Sequence, residues 1–200
     1  MKVVLVGDSI RIGYEPFVRR ALAGVAEVWA PEQNGGNSRN VIEHLDEWVL
    51  DQQPDVLHLN CGLHDLKREP GASGPAIALE DYATNLRALF RRLAHARIPT
   101  IWATSTPVNE TWHARGTLHR LEEDVIAYNR ISAGVAEQFG LSVNDLYCLV
   151  TSRGRDLLLS QDGRHFVPDG YALLGEAVAA AIAAKLSRTN AASRMPSDAR

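Results

Sequence analysis

Residues Lys2 to Val6 form an almost wholly apolar, β-branched run that stops abruptly at Gly7-Asp8-Ser9. A run of this kind reads as a strand buried on both faces, and such a strand needs helices covering the sheet above and below. The rest of the chain supplies them. Pro16 to Ala23 reads as an amphipathic helix closed by Gly24, and Val25 to Ala30 as a second strand. A turn-rich loop holding Asn34, Gly35, Gly36, Asn37 and Ser38 precedes a helix over Val41 to Leu50, where Asn40 and Glu43 resemble a capping box. Pro54-Asp55 opens a third strand through Val56, Leu57 and Leu59. Helix follows over Leu79 to Ala96, strand over Ile98 to Ala103, a polar loop over Ser105 to Gly116, and helix over Leu118 to Phe139. Leu141 to Val143 reads as a short fifth strand, Asp145 to Val150 fits no single element, and Gly154 to Phe166 reads as charged loop. Pro168 to Leu186 is the last helix, with proline in its first turn. Strands alternating with helices predict an α/β fold, a three-layer α/β/α sandwich around a five-stranded parallel sheet. Residues 1–187 are expected to form one domain and 188–200 a flexible tail.

Composition removes several classes of function. A formal charge of −3 over 200 residues provides no basic field for nucleic acid or an anionic membrane. The only cysteines, Cys61 and Cys148, stand in apolar contexts without a C-x-x-C partner, as buried thiols in a reducing compartment would. The apolar run at the N-terminus is too short for a signal sequence and no transmembrane stretch appears, so a cytoplasmic location is expected. His58, His64, His113 and His119 form no metal-ligand pattern, and neither G-x-G-x-x-G nor a P-loop is present. No metal and no cofactor are therefore expected, and the partner is a small molecule. Trp29, Trp48 and Trp102 read as core.

In open α/β sheets ligands bind beyond the carboxyl ends of the strands. Four loaded turns follow strands here: Gly7-Asp8-Ser9, Asn34-Gly35-Gly36-Asn37, Gly62-Leu63-His64-Asp65 and the Ser/Thr/Pro segment after Ala103. A serine hydroxyl becomes a useful nucleophile only when a neighbour takes its proton. His165 is the candidate base for Ser9, and Asp162, three residues earlier, can hold Nδ1 and fix the tautomer. Asp156 and Asp169 are the competing carboxylates. Gly7-Asp8-Ser9-Ile10-Arg11 lacks the second glycine of a G-x-S-x-G elbow, which disfavours an ordinary α/β-hydrolase. Asp8 and Asp65 read as loop-holding residues.

With these residues in order, the chain resembles the SGNH, or GDSL, hydrolases. Gly7-Asp8-Ser9 is similar to the nucleophile block, Gly36-Asn37-Ser38 to the glycine block, and Asp162-x-x-His165 to the acid and base block. The resemblance implies a flavodoxin-like fold and a metal-independent Ser9-His165-Asp162 ester hydrolase. It also implies an oxyanion hole from Ser9 N–H, Gly36 N–H and the third block. That block departs from G-x-N-D: it is Gly62-Leu63-His64-Asp65, with histidine where the family has a donating asparagine. A neutral imidazole still offers one N–H. Gly35 and Gly36 cannot be told apart by chemistry alone.

The expected activity is hydrolysis of short-chain, acetyl-type esters, with an acylated carbohydrate as the favoured substrate. Trp112, His113 and Arg115 are read either as part of a substrate wall or as a mobile surface loop outside the site, with nothing in the sequence to choose between them. The alternatives are a thioesterase or lysophospholipase using the same triad, and a ligand-binding module disabled by the histidine at position 64.

Overall fold

The computed structural model describes residues 1–113 and 119–194. Its centre is a five-stranded sheet in the order β2-β1-β3-β4-β5, formed by β1 (Lys2–Val6), β2 (Glu27–Trp29), β3 (Val56–Leu59), β4 (Thr100–Ala103) and β5 (Ser142–Asn144), every pair parallel. This is the flavodoxin-like order, and the chain reverses direction across the sheet between β1 and β3. Side chains of β1, β3 and β4 are buried on both faces, from Val3 to Val6, Val56 to Leu59 and Thr100 to Ala103. That accounts for the continuous apolar runs in the sequence. His58 is the ionisable exception: burial holds its imidazole far below the ordinary value, to about 3, and Nε2 meets Asn144 Nδ2 at 3.2 Å.

The helices are α1 (Ser9–Ala21), α2 (Ser38–Glu43), α3 (Leu79–His95), α4 (Glu110–His113), α5 (Glu122–Gln138), α6 (Leu146–Ser152), α7 (Arg155–Leu158) and α8 (Pro168–Arg194), with a π-helical turn at Asp46–Leu50. Helices α1 and α8 pack together, as do α3 and α5. Tyr82, Leu86, Leu89, Phe90 and Leu93 form the buried stripe of α3, at the i, i+3, i+4, i+7 spacing of an amphipathic helix. By length and composition α8 contains the one span, among the described residues, apolar enough to cross a bilayer. Leu174, Val178, Ile182 and Leu186 of that span are buried in the core.

Several boundaries differ from the sequence reading. Helix α1 starts at Ser9, seven residues before Pro16, because Asp8 caps it by accepting from Ile10 N–H at 2.9 Å. The cap of α2 is Asn37, which accepts from Asn40 N–H at 3.0 Å, so Asn40 and Glu43 are not a capping box. The segment 145–150 is helical, capped by Asp145. Helix α8 runs on to Arg194, so the expected tail boundary at 188 falls inside it; no glycine or proline stands between 188 and Pro196. Trp48 and Trp102 are core, whereas Trp29 is only partly buried, on the short edge strand β2. Cys61 is buried as expected, but Cys148 is exposed, since α6 turns it to solvent while burying Leu146 and Val150.

Candidate active site

Strands β1 and β3 deliver their carboxyl ends side by side at the chain reversal, and both following turns open onto a cavity of about 250 Å³. It is lined by Asp8, Ser9 and Ile10 from the first turn, Leu63 and His64 from the second, and Asn34, Arg120, Arg164 and His165. As the first residue of α1, Ser9 has a backbone N–H with no intrahelical acceptor, at the positive end of the helix dipole.

The turn Ser160–Phe166 brings His165 to Ser9. Leu159 and Phe166 form an antiparallel bridge, Ser160 N–H donates to His165 O at 2.7 Å, and Gly163 takes the left-handed conformation, φ +73°, that the reversal requires. His165 Nε2 lies 2.9 Å from Ser9 Oγ, and its Nδ1 lies 2.5 Å from Asp162 Oδ2. The other carboxylate oxygen accepts from Ser160 Oγ at 2.8 Å, His165 N–H at 2.9 Å and Arg164 N–H at 3.1 Å. Burial pushes the Asp162 carboxyl up, but the hydrogen bonds it receives from His165, Arg164 and Ser160 outweigh that and hold it well below the ordinary carboxylate range. Asp162 is thus charged at neutral pH. The competing carboxylates lie elsewhere: Asp156 binds Asn109 Nδ2 and Arg155 Nε, and Asp169 sits in the first turn of α8.

The two glycines after β2 separate here. Gly35 N–H donates to Gly7 O at 2.9 Å, and a Cβ at position 35 would lie 2.7 Å from that oxygen, so close approach of two loops demands glycine. Gly36 has φ +62°, and its N–H donates to Asn34 Oδ1 at 2.8 Å. Asn34, rather than Gly36, lines the cavity.

Asp65 holds the glycine loop against the turn after β3. It accepts Ser38 N–H at 3.0 and 3.1 Å and the Ser38 hydroxyl, while Asn85 Nδ2 donates to that hydroxyl at 2.9 Å. Burial raises the Asp65 carboxyl to about 6 against the hydrogen bonds from Ser38. His64 beside it has no side-chain hydrogen bond among the described residues. Burial pushes its imidazole below the ordinary value, opposed by Asp8 and assisted by Arg120, Lys67 and Arg164. It is therefore neutral at pH 7, with one N–H to give.

The sequence profile of the GDSL-like lipase/acylhydrolase family matches residues 5–173. The chain belongs to that family. The GDSL-like fold recurs in solved structures. A lipase/acylhydrolase from Enterococcus faecalis superposes with a TM-score of 0.78 at 24% identity, over 92% of this chain and 96% of that one. An acetyl xylan esterase gives 0.74 at 19% identity, over 91% and 100%. A catalytic mutant of an acetylxylan esterase from Geobacillus stearothermophilus gives 0.75 at 18%, over 92% and 93%. No curated protein matches the sequence.

Of the residues singled out by sequence, Ser9, His64 and His165 line the GDSL-like cavity, and Asp162 stands behind His165. Trp112 does not: it is partly buried against the core, with its backbone N–H donating to Asn109 Oδ1. Arg115 and the side chain of His113 lie outside the described residues. Sequence reasoning gave no role to Arg120 or Arg164, and placed Asn34 in a loaded turn without a role of its own. Arg164 stood between Asp162 and His165 and was open to notice. Arg120 has no local signal, since it reaches the cavity through pairing of Arg68 with His119 and of its own Nε with Leu63 O at 2.7 Å.

Proposed function

We propose that this GDSL-family protein is a serine esterase for short acyl groups. Ser9 Oγ attacks the ester carbonyl as His165 Nε2 takes its proton; His165 then protonates the departing alcohol, and water cleaves the acyl-enzyme by the same route reversed. Asp162 orients His165 and stabilises the imidazolium that forms. The single observation that carries this reading is the unbroken series Ser9 Oγ to His165 Nε2 to His165 Nδ1 to Asp162, at 2.9 and 2.5 Å.

The negative charge on the carbonyl oxygen is received by Ser9 N–H and His64 N–H, with Gly36 N–H joining by exchanging Asn34 Oδ1 for the substrate. His64 takes the place of the family's asparagine, as a neutral donor. A cavity of about 250 Å³ with Ile10 and Leu63 as its aliphatic side chains favours an acetyl-sized acyl group over a long one. Two of the structural relatives are named acetyl xylan esterases, which keeps acetylated sugars in view as substrates. The thioesterase and lysophospholipase alternatives would use the same residues. A ligand-binding module with a disabled site is disfavoured by the hydrogen-bonded Ser9-His165 pair.

The test is hydrolysis of p-nitrophenyl acetate and p-nitrophenyl octanoate, with acetyl-CoA as a thioester, by wild type and Ser9→Ala. Turnover of the acetate above both others, lost in Ser9→Ala, is expected. Equal turnover in Ser9→Ala removes the serine mechanism, and preference for octanoate or acetyl-CoA removes the short-acyl oxygen-ester reading.

A further inference from the structure

A cavity that only has to accept a neutral ester has no need of guanidinium groups, yet two line this one. Arg120 is 4% exposed, and placing a cation there costs solvation that packing alone does not return. Its Nε is fixed on Leu63 O at 2.7 Å, so the guanidinium is held beside the turn that carries His64. The bidentate pair of Arg68 with Asp124, at 2.9 and 3.0 Å, and the Arg68–His119 bridge secure that segment from behind. Arg164 approaches from the other wall, one residue before His165. Its side chain is 31% exposed, and its Nε lies 3.5 Å from Asp162 Oδ2, an oxygen already engaged by His165 Nδ1.

Among the described residues two guanidiniums and one carboxylate, Asp8, line the cavity, and the charged Asp162 behind His165 is the second anion near them, 3.5 Å from Arg164 Nε. Asp8 is 1% exposed and its Oδ1 is committed to Ile10 N–H as the cap of α1. Asp162 lies behind His165, and its Oδ1 is taken by Ser160, Arg164 N–H and His165 N–H. His64 is neutral, and the first turn of α1 adds the positive end of a helix. Burial and then Arg164 lower the Arg120 guanidinium to about 10, opposed by Asp8 and Asp162, so it is still charged at neutral pH.

We infer that Arg120 and Arg164 are specificity-determining residues and that the ester hydrolysed at Ser9 carries a carboxylate or another compact anion within reach of them. This rests on the serine-esterase reading. Planar guanidinium donors suit a carboxylate through paired N–H groups, and in a partly desolvated cavity such contacts are stronger than at an open surface. The anion can sit on the alcohol or on the acyl side of the ester. The two placements have the same recognition chemistry and different probes.

Two matched ester pairs separate them. For the alcohol side, 3-acetoxybenzoate is compared with 3-acetoxybenzamide; for the acyl side, monomethyl succinate with methyl succinamate. In one pair the wild type is expected to favour the anion by about 10- to 100-fold in kcat/KM, expressed mainly in KM and shrinking as salt is raised. Arg164→Gln and Arg120→Gln should each lower that ratio about tenfold or more, with Arg164→Lys restoring part of it. The ratio is the readout, so a general loss of turnover in a variant leaves it interpretable, and the less buried Arg164 provides a test should Arg120→Gln fold poorly. A ratio at or below one in both pairs, or a preference unchanged in Arg164→Gln, overturns the inference while esterase activity stands. If no ester is turned over and a fluorophosphonate leaves Ser9 unlabelled, the esterase reading has failed. Calorimetric binding of the same pairs to Ser9→Ala then decides the anion preference alone: tighter, salt-sensitive binding of one anion supports it, and equal binding overturns it.

Discussion

The two sides of the cavity are built differently. On the acid and base side, His165 is held at both ring nitrogens, and both Asp162 oxygens are occupied by donors from a seven-residue turn. On the oxyanion side, His64 has no side-chain hydrogen bond among the described residues, and Gly36 N–H is spent on Asn34 Oδ1. What is rigid on that side lies one layer back, where Asp65 clamps Ser38 and fixes the glycine loop against the turn after β3. In the mechanism proposed above, this contrast means that proton transfer is organised before substrate arrives, whereas charge stabilisation is completed by it.

The largest expected effects break the rigid side. Ser9→Ala and His165→Ala should each lower kcat on p-nitrophenyl acetate by about 10⁴- to 10⁶-fold, and Asp162→Asn by about 10⁴-fold, with KM moved far less. Purified variants with unchanged circular dichroism give the comparison. A Asp162→Asn variant with normal kcat would mean that the turn, not the carboxylate charge, positions His165.

The oxyanion side answers to smaller changes. His64→Ala should lower kcat by about 10²- to 10³-fold, and His64→Asn should retain activity, since an amide gives the same kind of donor. Normal kcat in His64→Ala would take position 64 out of the hole and leave the backbone donors to do the work.

The clamp behind it predicts a pH signature in stability rather than rate. Burial raises the folded-state value of Asp65 to about 6, above that of the unfolded chain, so its stabilising contribution is complete below about pH 4 and lost as pH rises through about 6. From pH 4 to pH 7 the unfolding free energy of Asp65→Asn should therefore gain about 2 kcal/mol on that of wild type. Urea unfolding at both pH values measures it, and a difference independent of pH would show that Asp65 is not buried as described.

What could be read from sequence follows the same division. Asp162 and His165 are three residues apart, and Ser9 follows the apolar run Val3 to Val6 by three residues, so short-range spacing and one buried strand pointed to them. The parallel sheet was legible because β1, β3 and β4 are apolar on both faces. Starts of helices were less so: Asp8 and Asn37 cap α1 and α2 through side-chain acceptors in stretches that also read as loop. The separation of Gly35 from Gly36 depends on Gly7 O, 28 residues away from Gly35 in sequence, and Arg120 depends on pairing with the segment 63–68. No local pattern encodes contacts of that range. The substrate wall expected from Trp112 gave way to packing against the core, where the short helix α4 carries the residue.

The central claim is that Ser9 is a nucleophile activated by His165, and covalent labelling tests it most directly. Wild type, Ser9→Ala and His165→Ala are treated with a fluorophosphonate at pH 7.5 and followed by intact-protein mass spectrometry with peptide mapping. A single adduct on Ser9 is expected in wild type, with none in Ser9→Ala and labelling slowed by orders of magnitude in His165→Ala. An adduct that persists in Ser9→Ala, or forms equally fast in His165→Ala, would contradict it.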